Sequence, residues 1–498
     1  MANINKKEYI DKVAACWLGK NIGGTLGMPV EWKRQVNNFT FYSQELNGDP
    51  VPNDDLDIQL LWLVALEEQG INIDAHVLCE YWNLYLTPHW MEYGISKSNM
   101  RQGIPAPLCG SFNNKFKHSC GAFIRSEIWA CIAPGRPDIA VKYAYEDAII
   151  DHGDGEGLYA EIFCVAMESA AFLESDVREL IKIGLSYIPE DCGISKATNA
   201  VIEAHDSGMS WQEIRDLVLR DFRGHTHFGE PQFATSQEDI EKGFYDGEIG
   251  YDAPSNIAFV VLGLLYGEDG DFDKMICTTV NCGEDADCTA ATVGAIYGII
   301  HGTKGIPEKW ITPIGRNLKT CCLNLGELQG LLPETVDELT ERITKIAEQV
   351  ISRRQALNKR ESLFGQNEHE DIYKNSNKPV YKFPFYSIGV YYGDKGPYAK
   401  SGEEKKVKLL INNTYGKVQA NLSVKVYAPD NWQVFPQQGL VPCFPGMERH
   451  SPEIELKLQS DCITNSSNRF VVEFTIEGRP TLMHVPINLL NGDMNINV

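Results

Sequence analysis

Acidic residues are concentrated at two points of the chain, each directly before a run with helical periodicity. The first is the sequence 53–57, Asn-Asp-Asp-Leu-Asp, and the second is 283–289, Gly-Glu-Asp-Ala-Asp-Cys-Thr. Adjacent carboxylates repel one another unless a helix N-terminus, a basic side chain or a metal ion offsets their charge. Helix capping explains either cluster alone. Together, however, the two clusters supply enough oxygen ligands for a hard cation such as Mg²⁺.

A glycine-rich run over 19–31 ends in Glu31. It differs from the phosphate-binding pattern GxxxxGK[ST], because no Lys-Ser/Thr pair follows it and no strand-like segment precedes it. The glycines instead predict a close helix–helix contact and then a tight turn at Glu31. A further segment, 151–157, places His152 among acidic residues and glycines. A lone histidine in such a setting is more often a capping or turn residue than a catalyst.

The charge of the chain is unevenly distributed. The 498 residues include 45 Lys and Arg and 68 Asp and Glu. Of these, 13 basic and 11 acidic residues lie in 378–498, which leaves 32 and 57, a net charge of −25, in 1–377. This asymmetry indicates a domain boundary. An acidic surface repels phosphate backbones, so we expect no binding of duplex nucleic acid by the first domain.

The cysteines and the hydropathy pattern indicate the compartment. The 14 cysteines are scattered, many of them in apolar helical stretches, and the pairs Cys282/Cys288 and Cys321/Cys322 follow no CxxC-type metal pattern. Free thiols in a reducing compartment are therefore expected. The N-terminus lacks the apolar segment of a signal peptide, and no apolar run reaches the ~18 residues of a membrane span. We expect a cytoplasmic protein with no membrane contact.

Most of the chain has the apolar spacing of α-helices. From residue 6 to about 352, apolar residues recur at i, i+3 and i+4, whereas strand-like alternation is scarce. The clearest helical segments are 54–69, 156–174, 252–267 and 287–301. This pattern predicts an all-α domain over residues 1–357.

The last part of the chain has a different pattern. A charged stretch with few apolar residues, 358–378, is predicted to be a linker. Beyond it, polar and apolar residues alternate between turn residues, which predicts about seven strands and an all-β, immunoglobulin-like sandwich over 379–498. The clearest strand segments are 405–411, 421–427, 453–458 and 469–476.

The role of this sandwich is open at the level of sequence. Residues 428–434, Ala-Pro-Asp-Asn-Trp-Gln-Val, resemble the AP-x-x-W-x-V signature of sandwich domains attached to glycoside hydrolases. A structural or oligomerisation module is the main alternative. Binding of a polysaccharide would need exposed aromatic side chains on one face. Tyr391, Tyr392 and Trp432 are candidates, although burial in the core is the simpler explanation for them.

Taken in order, the motifs of the first domain resemble those of the ADP-ribosylglycohydrolase family. The family run G-D-x-x-G-x-P-x-E is matched by 23–31, although Gly24 stands where the family has Asp. The further matches are 53–56 to T-D-D-T, 119–125 to a small-residue helix, 151–156 to T/S-H-x-x-x-E, and 281–288 to N-x-G-x-D-T-D-T.

This resemblance implies an orthogonal bundle of helices that binds two Mg²⁺ ions. It also implies hydrolysis of the glycosidic bond to ribose, in a substrate that carries ADP-ribose on a small molecule or on a protein. Glu31 matches the acidic residue over the metal pair, which activates water or protonates the leaving group. The implied metal ligands are Asn53, Asp54, Asp55, Asp285, Asp287 and Thr289. The implied substrate contacts are His152, Gly121 and Glu156.

Departures from the family pattern affect these expectations. Asn53 replaces a hydroxyl ligand, though its amide oxygen can coordinate a hard cation. Cys288 replaces Thr or Ser, and a thiol is a poor ligand for Mg²⁺, so one metal site is expected to be weaker unless a shifted backbone brings in Thr289. Leu56 and Gly24 differ from the family residues and indicate a substrate pocket of different shape. A smaller riboside or another glycoside is therefore an alternative substrate. A catalytically silent binding or structural member is the remaining alternative, disfavoured by the retained acidic residues.

Overall fold

The computed structural model of the chain describes residues 5–223, 236–243, 250–355, 362–366, 372–413, 420–443, 452–476, 478–479 and 481–494. The chain divides into two compact units. The first comprises Met1–Gly94 and Asn114–Tyr373, and the second comprises Ile95–Asn113 and Lys374–Val498. The second unit therefore includes the segment 95–113, which lies within the predicted all-α domain, 1–357.

The first unit is helical, as predicted, and the second unit also contains helical residues, 95–101 and 108–111. The α-helices of the described residues are α1 (Lys6–Gly27), α2 (Asp54–Gln69), α3 (Ala75–Tyr85), α4 (Met91–Arg101), α5 (Leu108–Ser111), α6 (Glu127–Ile132), α7 (Pro137–Ala148), α8 (Glu156–Ala171), α9 (Val177–Leu185), α10 (Gly193–Asp206), α11 (Trp211–Asp221), α12 (Gln237–Glu241), α13 (Ala253–Tyr266), α14 (Phe272–Asn281), α15 (Ala286–His301), α16 (Glu308–Ile311), α17 (Leu325–Leu328) and α18 (Val336–Gln355). The four clearest helical segments of the sequence are confirmed as α2, α8, α13 and α15. None of the described helices is both long and apolar enough to cross a membrane.

The second unit contains a β-sandwich. Its strands are β1 (Val380–Lys382), β2 (Tyr386–Tyr391), β3 (Tyr398–Ala399), β4 (Lys405–Asn413), β5 (Ala420–Tyr427), β6 (Gln433–Phe435), β7 (Gln438–Cys443), β8 (Glu453–Gln459), β9 (Ser467–Ile476) and β10 (Leu482–Asn491). They form two five-stranded sheets, in the orders β1-β2-β4-β8-β6 and β3-β10-β9-β5-β7. All neighbouring strands are antiparallel except β3 and β10. The immunoglobulin-like topology stays a prediction.

The alternation seen in the strand segments places apolar side chains in the sandwich core. Phe470, Val472 and Phe474 of β9, for example, are fully buried. Of the aromatic residues considered for carbohydrate binding, Tyr392 is buried, and Trp432 is half-buried and packs edge-on against Phe470. Their environment therefore agrees with the simpler explanation, burial in the core.

Segment 95–113 is attached to the sandwich by hydrogen bonds and ring contacts. The Gln102 carbonyl accepts from Ser467 Oγ at 2.8 Å. The Phe112 ring lies 5.0 Å from that of Tyr398, and Asn113 Nδ2 donates to Tyr398 Oη at 3.1 Å. These contacts join residues far apart in sequence, which is why helical spacing alone could not indicate them.

The part of the predicted linker that belongs to the first unit is hydrogen-bonded to its helices. Tyr187 Oη donates to the Leu363 carbonyl at 3.1 Å, the Gly365 amide donates to Ser186 Oγ at 2.8 Å, and Tyr373 Oη donates to the Tyr187 carbonyl at 3.2 Å. The linker residues 358–361 and 367–371 lie outside the described residues. The expected division at 357 and 379 stays a prediction.

Close packing of α1 on α15 fixes the position of the Glu31 turn. A Cβ added to Gly19 would lie 2.0 Å from the Gly294 carbonyl oxygen, and one added to Gly23 would lie 2.1 Å from the Ala290 carbonyl oxygen. Glycines spaced by four lie on one helix face, so they let the two backbones touch. The close helix contact predicted from the glycine-rich run is thereby confirmed.

We expect Gly23→Ala to destabilise the chain by about 1 to 3 kcal/mol, because its Cβ would meet rigid backbone of α15. The matched control is Gly326→Ala in α17, where the nearest atom to an added Cβ is Asn324 Oδ1 at 3.4 Å. There we expect a change within about 0.5 kcal/mol. Chemical denaturation of both variants measures the difference, and equal stabilities would contradict the packing account.

Candidate metal centre

Two helix starts and one turn bring the predicted acidic residues together. Helix α2 begins directly after its cap Asn53, and helix α15 begins directly after Asp285. The turn that follows α1 pairs with the segment before α15, since the Trp32 amide donates to the Glu284 carbonyl at 2.8 Å. This pairing brings Glu31 to the start of α15.

The carboxylates form two groups that share Asp287. In the first, one ligand atom each from Asp55, Asp287 and Cys288 lies within 4.8 Å of the others. In the second, the same holds for Glu31, Asp285 and Asp287. The structure therefore brings Asp55 close to Asp287, which is 232 positions later in the sequence, whereas Asp54 belongs to neither group and its role as a ligand stays a prediction.

Hydrogen bonds also join the two helix starts. Asn53 Nδ2 donates to Asp287 Oδ2 at 3.0 Å, and the Cys288 thiol donates to Asp55 Oδ1 at 3.4 Å. Asn53 Oδ1 accepts from the Asp55 amide at 2.9 Å. The amide oxygen expected to coordinate a cation is therefore used to cap α2.

Three buried carboxylate oxygens of the cluster have no hydrogen-bond partner among the described residues: Asp55 Oδ2, Asp285 Oδ1 and Asp287 Oδ1. Each of these residues is at most 2% exposed. Burial, with added repulsion from neighbouring carboxylates, raises the pKa of Asp55 and Asp285 well above the usual range. Burial and the charge of Asp54 raise the pKa of Asp287 to about 6. Buried carboxylates without partners are unfavourable unless a cation compensates them.

The carboxyl group of Glu31 is also affected by the neighbouring acidic residues. Burial, followed by the charges of Asp287, Asp54 and Asp55, raises the pKa of Glu31 to about 10. Oxygen-rich clusters of this kind are the ligands that Mg²⁺ and Ca²⁺ prefer. The residues present therefore fit a hard divalent cation, which would offset the repulsion that these pKa values reflect.

Two further side chains of the site were missed by the sequence analysis. Lys20 is buried in α1, where its Nζ donates to Glu127 Oε1 at 2.8 Å and lies 3.7 Å from Asp55 Oδ2. Tyr93 Oη donates to Asp54 Oδ2 at 2.9 Å. A lysine inside an apolar, glycine-rich helix is a usable signal, because a buried lysine needs an anionic partner. Nothing in the sequence marks Tyr93.

The hydroxyl of the predicted ligand Thr289 has a hydrogen-bond partner within its own helix. Its hydroxyl donates to the Ala286 carbonyl at 3.3 Å within α15, and its side chain is fully buried. Cys288 is instead the residue next to Asp55. The role of Thr289 as a metal ligand stays a prediction.

His152 belongs to a buried hydrogen-bond network. Its Nδ1 lies 2.8 Å from Asp151 Oδ1, and its Nε2 lies 3.1 Å from Ser119 Oγ. Arg125 Nη2 donates to Asp151 Oδ1 at 2.6 Å. All four residues are at most 1% exposed. This environment favours a structural role for His152.

The other two predicted substrate contacts also have structural partners. A Cβ at Gly121 would lie 2.1 Å from Glu92 Oε1, so a larger residue there would require the Glu92 side chain to move. The Glu156 carboxylate accepts from the amides of Gly193 at 2.9 Å and Ile194 at 3.1 Å, which caps helix α10. A part for either residue in substrate binding stays a prediction.

Comparison with known proteins identifies the family. A sequence model described as ADP-ribosylglycohydrolase matches residues 5–356. An uncharacterized protein of Archaeoglobus fulgidus is 24% identical over 318 residues, covering 60% of this chain and 90% of that protein. A solved structure described as an ADP-ribosylglycohydrolase-related protein complex aligns over 68% of this chain and 99% of its own, at 17% identity and a TM-score of 0.42. On the family match, the chain belongs to the ADP-ribosylglycohydrolase family and is a glycosyl hydrolase.

Family membership implies glycohydrolase activity on substrates of the ADP-ribose type. The family generally binds divalent metals, and the acidic groups at the starts of α2 and α15 are suited to one. The resemblance seen in the sequence motifs is therefore confirmed at the level of family and fold.

Proposed function

We propose that the chain is a Mg²⁺-dependent hydrolase that cleaves the glycosidic bond to ribose in an ADP-ribosyl adduct. The observation that carries this proposal is the set of three buried carboxylate oxygens on Asp55, Asp285 and Asp287 that accept no hydrogen bond among the described residues; that of Asp55 lies 3.7 Å from Lys20 Nζ. Their repulsion is unfavourable in the protein alone and favourable around a hard dication. The family supplies the class of substrate.

The chain's own residues would position and protonate the reactants. When bound, Mg²⁺ would supply a template for ribose hydroxyls and water and stabilise developing negative charge. Glu31 would exchange a proton at its carboxylate with the attacking water or the leaving group as an oxocarbenium-like transition state forms. Asn53 and Lys20 would hold Asp287 and Asp55 in place through the contacts described above.

We propose two ions of unequal strength. The group of Glu31, Asp285 and Asp287 offers only oxygen ligands, whereas the other group includes the thiol of Cys288. Because Mg²⁺ binds thiols poorly, the ion beside Cys288 is the weaker one.

Two alternatives remain within this proposal. The reshaped motif residues Leu56 and Gly24 favour a smaller riboside or another glycoside as substrate. A catalytically silent binding protein is disfavoured, because binding alone does not require a cluster of buried carboxylates that repel one another. A cytoplasmic location and an oligomer formed through the sandwich stay predictions.

A product assay tests the proposal. The full chain is incubated with ADP-ribosylated arginine, serine and nucleotides and with simple ribosides, in the presence of Mg²⁺ or of a chelator. We expect release of ADP-ribose or of the riboside's free base or alcohol only with Mg²⁺. Equal turnover in chelator would contradict the metal dependence, and no turnover of any substrate would favour the silent alternative.

The raised pKa values predict a pH-dependent stabilisation by Mg²⁺. The pKa of Asp287 is about 6 in the folded chain and ordinarily below 4 when unfolded, so stability of the metal-free chain falls as the pH rises between these values. Bound Mg²⁺ removes that loss. At saturating Mg²⁺ we expect the melting temperature to rise by about 5 °C at pH ~8 and by much less at pH ~5. Differential scanning fluorimetry, with NaCl at matched ionic strength as control, measures this, and an equal rise at both pH values would contradict it.

A further inference from the structure

A third cluster of ligand atoms lies beside the acid cluster but differs in chemistry. Asp57, Cys321 and Cys322 each offer one ligand atom within 4.8 Å of the others. Asp57 belongs to the first turn of α2, and the two cysteines are adjacent in the segment that precedes α17. The proposed glycohydrolase reaction uses none of the three.

The Asp57 carboxylate organises this cluster. Its Oδ2 accepts hydrogen bonds from the amides of Cys321 at 2.7 Å and Cys322 at 2.6 Å, which fixes the cysteine segment against α2. Its Oδ1 is buried and has no hydrogen-bond partner among the described residues, and Asp57 as a whole is 0% exposed. One oxygen therefore holds the cysteine segment, while the other accepts no hydrogen bond among the described residues.

The two thiols are within hydrogen-bonding distance of one another, and this separation also suits shared coordination of one tetrahedral cation. Their Sγ atoms are 3.5 Å apart. Two thiolates bound to one Zn²⁺ at ~2.3 Å each lie about 3.8 Å from one another at the tetrahedral angle. A disulfide would need the sulfurs to close to about 2.0 Å. The geometry is thus nearer to shared coordination than to a bond between the sulfurs.

We propose that Asp57, Cys321 and Cys322 form a site for a thiophilic divalent cation such as Zn²⁺, separate from the hard-cation site of the acid cluster. Thiolates select soft ions and carboxylates alone select hard ones, so the two sites take different metals. Binding releases the two thiol protons to solvent and leaves a fourth coordination position for water. Cys321 is exposed and Cys322 is buried, which gives the ion a path from solvent.

Metal titration of the full chain tests this site. The reduced, chelator-treated chain is saturated with Mg²⁺ and then titrated with Zn²⁺ against a chromophoric chelator, and with Co²⁺ while thiolate-to-metal charge-transfer absorption is recorded. We expect one equivalent of Zn²⁺ to bind and a Co²⁺ charge-transfer band to appear. Loss of a residue that only hydrogen-bonds a metal ligand lowers metal affinity by about 10- to 100-fold. Because Cys321 is itself a proposed ligand, Cys321→Ser should weaken Zn²⁺ binding at least that much and remove most of the charge-transfer band.

Two matched variants distinguish this site from other thiols. Cys288→Ser removes the thiol beside Asp55, and Cys462→Ser removes an exposed thiol of the second unit. Both should keep the band and the Zn²⁺ affinity. The proposal is overturned if the unaltered chain gives no band, if Cys321→Ser keeps it, or if Cys288→Ser removes it. Because Cys321 is exposed, its substitution tests the site without the packing change expected at Cys322.

Discussion

Asp55→Asn and Asp285→Asn are each expected to lower Mg²⁺-dependent hydrolysis by about 10³-fold or more, because each removes a charged oxygen ligand from the proposed ion site. The fold should survive. In the metal-free chain the substitution removes one of several repelling carboxylates, so the melting temperature in chelator should stay the same or rise. The gain in melting temperature on adding Mg²⁺ should be largely lost.

Asp221→Asn serves as the matched control. Asp221 lies near the surface and pairs with the neighbouring Arg220, far in sequence from either acid cluster. Its removal should leave turnover and the Mg²⁺-dependent stabilisation unchanged. Kinetics and calorimetric titration with Mg²⁺ are measured on all three variants. Undiminished Mg²⁺ binding in both Asp55→Asn and Asp285→Asn would show that these two carboxylates do not bind the ion.

Glu31→Gln should lower kcat by about 10² to 10⁴ and change substrate affinity little. Glutamine keeps the size and reach of the side chain but cannot exchange the proton. Glu31 offers a ligand atom within 4.8 Å of Asp285 and Asp287, and burial together with the charge of Asp287 raises its pKa, so the variant should also be no less stable without metal.

A structural role for Glu31 predicts the reverse result. If Glu31 served only to pair with a neighbouring cation, the variant would be less stable and nearly as fast. Lys33 Nζ donates to the Pro29 carbonyl, and Arg34 Nε lies 4.0 Å from Glu284, so both nearby cations are directed to other groups. Glu341→Gln, which breaks an exposed pair with Lys345, controls for the loss of a surface charge. Melting temperature and kcat measured together decide between the two roles.

Periodicity was enough to predict most secondary structure. The segments 54–69 and 405–411 became α2 and β4 because helix and strand expose one face every 3.6 and every 2 residues, and burial follows that spacing. The glycine-rich run likewise predicted backbone contact, since only glycine leaves room for it. These properties are local, and a single sequence records them.

Features that depend on distant partners could not be predicted. Segment 95–113 has helical spacing, yet its contacts are with β3 and β9. The sequence indicated a capping or turn residue at His152, and the family resemblance implied a substrate contact, but His152 is buried and paired with Asp151, which Arg125 also binds. The cysteine pair Cys321/Cys322 matched no metal pattern, because its third ligand atom comes from a helix over 260 positions earlier.

Diffraction from crystals soaked in Mn²⁺, a hard dication with an anomalous signal, tests the central claim most directly. We expect an anomalous peak at ~2.2 Å from carboxylate oxygens of Asp285 and Asp287, with a second, weaker peak beside Asp55 and Cys288. The Asp285→Asn crystal should lose the first peak. The absence of any peak between the starts of α2 and α15 at saturating Mn²⁺, with those carboxylates bonded only to protein, would contradict it.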